Sequence, residues 1–351
     1  MQVPRTTYRR LPTATADKFN MHPSEALFDE HNEPVHLPVC DHYAGSEKLI
    51  LKSLALQETF FGALDVTIDL EDGACTGEEI SRAEMAAALI ASDANKFNRV
   101  GLRIHAPDHP HWQPDVRTVL AKAADRLAYI TIPKVLSVAD TSRTIQTINE
   151  VASAHGHQAA IPIHVLIETH GGLRDVWQIA ALPQVQSLSF GLMDFVSGHL
   201  GAIPSSAMRS PGQFEHPLVR RAKLEISAAA LACGKVPAHN VTTEFKDSAV
   251  VVYDAQRARQ EFGYLRMWSI HPDQIKPIIT TFAPRATEIS EAAHILLTAQ
   301  KKQWGPIEHH GKLHDRASYR YYWHLLQRAH QLHLPLPENA VTNFFTQPAG
   351  I

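Results

Sequence analysis

The chain has 351 residues, 44% of them hydrophobic, enough to bury one barrel-sized core with extensions or two smaller cores. Lys plus Arg number 33 against 36 Asp plus Glu, a net charge of -3, so no global basic field exists to hold nucleic acid or a membrane surface. Cysteine occurs only at Cys40, Cys75 and Cys233, without a Cys-x-x-Cys pair, and no apolar run reaches about eighteen residues, which argues against a zinc ribbon, a redox couple and a spanning helix. The expectation is a protein of a reducing compartment, the cytoplasm; Arg5, Arg9, Arg10 and Asp17 interrupt any signal-peptide core.

Residues 1–33 are polar and without a sustained period, and read as an N-terminal arm lying over the core or over a neighbouring subunit. From residue 34 short β-like runs alternate with helical ones: 35–39 with 46–61, 64–70 with 78–97, 99–105 with 113–125, and 128–132 with 138–155. The alternation continues through 161–167 with 172–181, 187–191 with 216–233, 236–241 with 246–262, and 264–269 with 272–282. Eight strand-helix units within 34–284, with no break in composition, predict a (β/α)8 TIM barrel in preference to an open doubly wound sheet. Residues 285–351 form a C-terminal helical extension: a helix near 286–303, the turn Trp304-Gly305-Pro306, a short segment holding Gly311, Lys312, His314 and Asp315, and a helix near 318–333. In that last helix Tyr319, Tyr322, Trp323 and Leu326 recur at helical spacing, so one face needs a partner surface, for which a neighbouring subunit is the expectation.

Five of the apolar runs end on charge. Leu64 to Leu70 delivers Asp69, Glu71 and Asp72; Val100 to Ile104 delivers Arg103; Tyr129 to Ile132 delivers Lys134; Ile161 to Ile167 delivers Glu168; Leu188 to Met193 delivers Asp194. In a barrel all these ends open on one mouth, where gathered carboxylates repel and desolvate one another unless a metal or substrate compensates them. Glu168 and Asp194, on adjacent strands, can share one divalent ion, and oxygen-only ligands favour Mg2+ or Mn2+. The competing reading has Glu168 capping the next helix and Asp194 pairing with Arg209. Arg103 suits a substrate carboxylate or a developing oxyanion, and equally a salt bridge with Asp69, Glu71 or Asp72. Lys134 stands between Arg103 and Glu168 in barrel order and neutralises the acidic ring; so many acids argue against a Schiff base there. The 22 histidines show no His-Glu-x-x-His arrangement, and His109/His111, His155/His157 and His309/His310 read as surface loops. No dinucleotide fingerprint, Walker loop or Gly-x-Ser-x-Gly elbow is present.

From residue 34 to 330 the chain resembles the citrate lyase β-subunit-like family, which includes malyl-CoA and citramalyl-CoA lyases. The resemblance is carried by Asp69-Leu70-Glu71-Asp72-Gly73, Arg103-Ile104, Pro133-Lys134-Val135, Ile167-Glu168-Thr169, Gly191-Leu192-Met193-Asp194 and Ile270-His271-Pro272-Asp273-Gln274-Ile275. It implies a magnesium-dependent carbon-carbon lyase that cleaves a hydroxy acid or its CoA thioester reversibly to an oxo acid such as glyoxylate or pyruvate. Glu168 and Asp194 then hold the metal, Arg103, Glu71 and Lys134 bind substrate, and Asp72 supports Arg103 in catalysis. The resemblance further implies a homotrimer or dimer of trimers, in which Gly311-Lys312-Leu313-His314-Asp315 enters a neighbour's mouth and Asp315 acts as acid/base. The chain departs from the family at Val35-His36-Leu37-Pro38, where an Arg-Ser pair is usual, and at His105, where an Asn is usual. The rival functions are a metal-dependent pyruvate aldolase on free oxo acids and a non-catalytic acid-binding member.

Overall fold

The computed structural model describes residues 21–28, 35–71 and 77–346. Their contacts divide the chain into one unit at 34–283 and a second made of 1–33 with 284–351.

In chain order the elements are α1 (Pro23–Leu27), β1 (Cys40–Ala44), α2 (Glu47–Thr59), β2 (Leu64–Asp69), α3 (Glu79–Ala91), β3 (Val100–Arg103), α4 (Trp112–Ala123), β4 (Leu127–Ile132) and α5 (Val138–Ala154). There follow β5 (Ile163–Ile167), α6 (His170–Arg174), α7 (Val176–Ala180), β6 (Val185–Phe190), α8 (Leu192–Ser197), α9 (Gly212–Glu215), α10 (Pro217–Ala232), β7 (Val236–His239) and α11 (Ser248–Phe262). The chain ends with β8 (Arg266–Ser269), α12 (Pro272–Phe282), α13 (Ala286–Lys301), β9 (Ile307–His309), β10 (Lys312–His314), α14 (Arg316–Gln331) and α15 (Glu338–Phe344).

Strands β1 to β8 pair in sequence order, all parallel, and β1 returns to β8 through Cys40↔Met267, Asp41↔Trp268 and His42↔Ser269, so the sheet closes. This is the (β/α)8 barrel. Its strands are buried on both faces, one by the helices and one by the barrel's own filling, which is why they read as short near-continuous apolar runs.

The filling, however, is ionic. Arg266 is wholly buried, with Nη2 2.8 Å from Oδ2 of Asp65 and 3.4 Å from Oδ2 of Asp41. The Thr67 and Tyr129 hydroxyls donate to Oδ1 of Asp41 at 2.7 and 3.1 Å. Burial outweighs these partners and lifts the Asp41 carboxyl from its ordinary 3.8 to about 6. Tyr129 fits because β3 offers Gly101 opposite it: a Cβ there would stand 2.1 Å from the tyrosine ring.

This polar interior displaces the first strand from its expected place. The alternation at 35–39 suggested a strand, but the ladder forms at Cys40–Ala44, whose polar Asp41 and His42 are both buried. Pro34 and Pro38 contribute no N–H to a ladder. The helix expected over 172–181 breaks at Asp175 into α6 and α7, and α3 stops at Ala91, well short of 97.

In the second unit α1 packs with α13, α14 and α15. Tyr319, Trp323, Leu326 and Ala329 of α14 are buried against Ile289, Ala292, Ala293 and Leu296 of α13, so the apolar face finds its cover within the chain. The segment before α14 is a two-stranded antiparallel hairpin, β9 with β10, turning through His310 and Gly311 at φ 51° and 73°. No helix among the described residues is long and apolar enough to cross a membrane.

Candidate active site

The strand ends of the barrel unit assemble a compact charged cluster. Asp69 and Arg103 are register partners on β2 and β3, so the guanidinium meets the carboxylate side by side: Nε donates to Oδ1 at 2.7 Å and Nη2 to Oδ2 at 2.6 Å. Nη1 lies 2.8 Å from Oε2 of Glu71, whose backbone N–H in turn donates to Asp69 Oδ1 at 3.1 Å. Below, the Tyr43 ring carries the guanidinium carbon 5.5 Å from its centroid. Burial opposes the charge, but Asp69 and Glu71 hold the guanidinium well above the ordinary arginine value, so Arg103 is a fixed, oriented cation. Its expected salt bridge exists and is what orients it.

Lys134, in the loop after β4, has φ +49°, a conformation that L-residues with side chains adopt uncommonly. The result is three contacts from one residue. Its backbone N–H donates to Glu168 Oε1 at 2.7 Å, while its Nζ lies 2.5 Å from Glu71 Oε1 and 4.0 Å from Asp194 Oδ1.

Glu168 follows β5 and is 3% exposed. It does not cap α6: Thr169 does, its Oγ1 accepting from the Gly172 N–H at 2.8 Å. Gly191 packs against it so closely that a Cβ there would stand 2.0 Å from Glu168 Oε2. Burial first, then the Glu71 and Asp194 charges, lift the Glu168 carboxyl from 4.5 to about 8, and Arg103 and the Lys134 N–H offset only part of this.

Asp194 corrects a detail of the sequence reading. β6 ends at Phe190, and Asp194 lies in the first turn of α8 instead of closing a strand. Its charged neighbour is Lys134, not Arg209. Asp72 lies outside the described residues. Asp315 belongs to the second unit, where it is exposed and caps α14, Oδ1 accepting from the Ala317 N–H at 3.0 Å.

The donor set fits a hard divalent ion. Glu71, Glu168 and Asp194 offer only oxygens, and the Glu168 carboxyl is raised first by burial and then by the other two carboxylates beside it. Among the described residues no three His, Cys, Asp or Glu side chains gather about one point as a ready-made cage. Two carboxylates with remaining positions for water or substrate oxygens is how magnesium is usually bound. What sequence reasoning missed here is Gly191 as the wall behind Glu168, the Lys134 backbone N–H and the Tyr43 ring. Gly191 stood inside a quoted motif, but nothing in its type says what it faces.

Comparison with known proteins agrees with this geometry. Residues 50–272 match the family model of HpcH/HpaI aldolase/citrate lyase. The L-malyl-CoA/beta-methylmalyl-CoA lyase of Cereibacter sphaeroides is 30% identical over 267 residues, 72% of this chain and 83% of the relative. That of Rhodobacter capsulatus is 28% identical over 303 residues, covering 82% and 93%. A crystal structure of a citrate lyase from Burkholderia xenovorans LB400 is 55% identical with a TM-score of 0.81, over 93% of this chain and all of that one. CitE from Mycobacterium tuberculosis, in complex with magnesium, acetoacetate and coenzyme A, shares the fold at 20% identity and a TM-score of 0.62, over 86% and 99%. By its barrel and its sequence the chain belongs to the HpcH/HpaI aldolase/citrate lyase family of carbon-carbon lyases.

Proposed function

We propose that the protein is a magnesium-dependent lyase that cleaves a hydroxy acid, as its CoA thioester, to an oxo acid such as glyoxylate or pyruvate, and runs the addition in reverse. The observation that carries this reading is the buried Glu168, set among Glu71 and Asp194 beside the fixed cation Arg103. Glu168 and Asp194 are the metal ligands in this reading, with Mn2+ an acceptable substitute. The bound ion supplies Lewis-acid polarisation of the carbonyl and a template for the adjoining carboxylate. Arg103, steadied by Asp69 and Glu71, faces the negative charge that develops on the thioester oxygen as the carbon-carbon bond breaks. Lys134 and Glu71 line the substrate's approach, and Asp72 supports Arg103. Asp315 of a neighbouring subunit takes the hydroxyl proton in cleavage and returns it in addition. Its exposed carboxylate at the start of α14 supports that role, and it requires an oligomer, a trimer or dimer of trimers.

The test is a panel of malyl-CoA, citramalyl-CoA and free oxo acids with and without Mg2+, reading glyoxylate or pyruvate release. Thioester cleavage that vanishes with EDTA, and with Glu168→Ala together with metal binding, is the expected result. Deuterium exchange into pyruvate without thioester cleavage would instead identify an aldolase on free acids. An active Glu168→Ala variant with no bound metal would overturn the ligand assignment.

A further inference from the structure

β3 carries a second polar device just past its end. Two residues beyond Arg103, a separation of about 6.6 Å along extended chain, stands His105. His105 is 6% exposed. Its Nδ1 lies 2.7 Å from Oδ2 of Asp115 in the first turn of α4, and its backbone N–H donates to the same oxygen at 3.0 Å. Asp115 is buried at 1% exposure, so the pair is built in and not a passing surface contact. His109 covers one face of the ring, parallel within 12° at 4.3 Å, and His111 stands 6.2 Å away.

Holding the loop needs only the backbone N–H bond to Asp115. The ring adds something more. With Nδ1–H given to the carboxylate the ring's orientation is set, and Nε2, which carries a proton of its own only on the doubly protonated ring, has no hydrogen-bond partner among the described residues. Resting on the lyase reading above, we propose that the His105–Asp115 dyad is an anion subsite of the same mouth: Nε2–H takes an outer carboxylate or phosphate of the substrate while Arg103 serves the reacting end. The electrostatics agree. Burial works against protonation, yet Asp115, with Glu79 of α3 and Glu71 after β2 behind it, raises His105 above the ordinary imidazole value. Burial, His105 and His111 push His109 down, the opposite direction from the ring it stacks on.

The experiment is calorimetric titration of the full chain in Mg2+ with four probes: oxaloacetate, pyruvate, CoA and pantetheine. His105→Asn should weaken oxaloacetate or CoA by roughly 10- to 100-fold, the loss of one charge-assisted hydrogen bond, while pyruvate and pantetheine change less than about threefold. Oxaloacetate parting from pyruvate names a carboxylate; CoA parting from pantetheine names a phosphate. Asp115→Asn should move the pH midpoint of that binding down, which a purely structural dyad would not do. Equal losses for all four probes, or none, would overturn the subsite. If the wild type binds none of them in Mg2+, the lyase reading falls first and the subsite with it.

Discussion

The sharpest demand on the site is the space behind Glu168, and Gly191→Ala tests it. The added methyl would lie 2.0, 2.5 and 2.9 Å from Oε2, Cβ and Cδ of Glu168. Ordinary carbon contacts need about 3.5 Å or more, so the carboxylate must retreat by about 1.5 Å. Rotation alone cannot relieve this, because Cβ is also too close and belongs to the residue directly after β5. Retreat breaks the 2.7 Å hydrogen bond from the Lys134 N–H. Overpacking costs about 1–3 kcal/mol and the lost hydrogen bond about 1 more, which in a barrel of this size lowers Tm by roughly 4–16 °C. Displacing a metal ligand by about 1 Å should reduce kcat/KM by on the order of a hundredfold. Thermal unfolding, calorimetric Mg2+ titration and steady-state kinetics on the same preparation read all three effects. A Gly191→Ala protein that binds Mg2+ and turns over within twofold of wild type would refute the claim that this glycine sets the Glu168 position.

Glu168 is raised to about 8, so the folded protein keeps a proton that the unfolded chain loses near 4.5; metal-free stability should therefore fall as pH rises between those values and level off above 8. The total is on the order of 5 kcal/mol; Glu168→Gln should flatten that slope in urea titrations across pH, and an unchanged slope would place the titrating group elsewhere. Arg103→Lys keeps the charge but loses the two-nitrogen grip on Asp69 and the third contact to Glu71, and should lower kcat by about a hundredfold or more with Mg2+ affinity little changed; a wild-type kcat contradicts it. Asp315→Asn should abolish turnover while leaving Mg2+ binding intact, and refolding it with inactive Glu168→Ala should restore part of the activity if one subunit's Asp315 serves another's metal site. No recovery in the mixture would return Asp315 to its own subunit or to a helix cap.

Much of the barrel was legible because each of its strands is sandwiched between helices and filling, and each helix has one covered face. That produces short apolar runs and amphipathic stretches at a regular interval. β1 escaped because its covered face is polar: Asp41 is buried for the sake of Arg266, 225 residues along the chain, and no local pattern announces such a partner. The cover over the Tyr319 and Trp323 face of α14 was likewise out of reach, since amphipathicity says that a helix needs a neighbour without saying which. At the site the charged residue types could be read directly, as Arg103 ends its strand and Lys134 and Glu168 come just after theirs. Gly191 and the left-handed turn at Lys134 could not, because both answer to how closely two separate strand ends approach.

Charge alone does not locate the functional end of this barrel, because the strands carry two ionic layers. In the deeper one, Asp41 and Asp65 stand against Arg266, with Arg99 at 3.5 Å from Asp65: two negative groups, two positive. That layer is closed by its own counterions and needs no ligand. In the outer one, among the described residues, Asp69, Glu71, Glu168 and Asp194 stand against Arg103 and Lys134, four acidic groups to two basic. The outer layer answers its deficit partly by raising Glu168, so that a proton occupies a carboxylate a divalent cation would otherwise neutralise. β2 contributes to both layers, through Asp65 to the closed one and Asp69 to the open one, four residues apart on the same face of the strand. It is the uncompensated charge, not the presence of charge, that separates a strut from a binding site here.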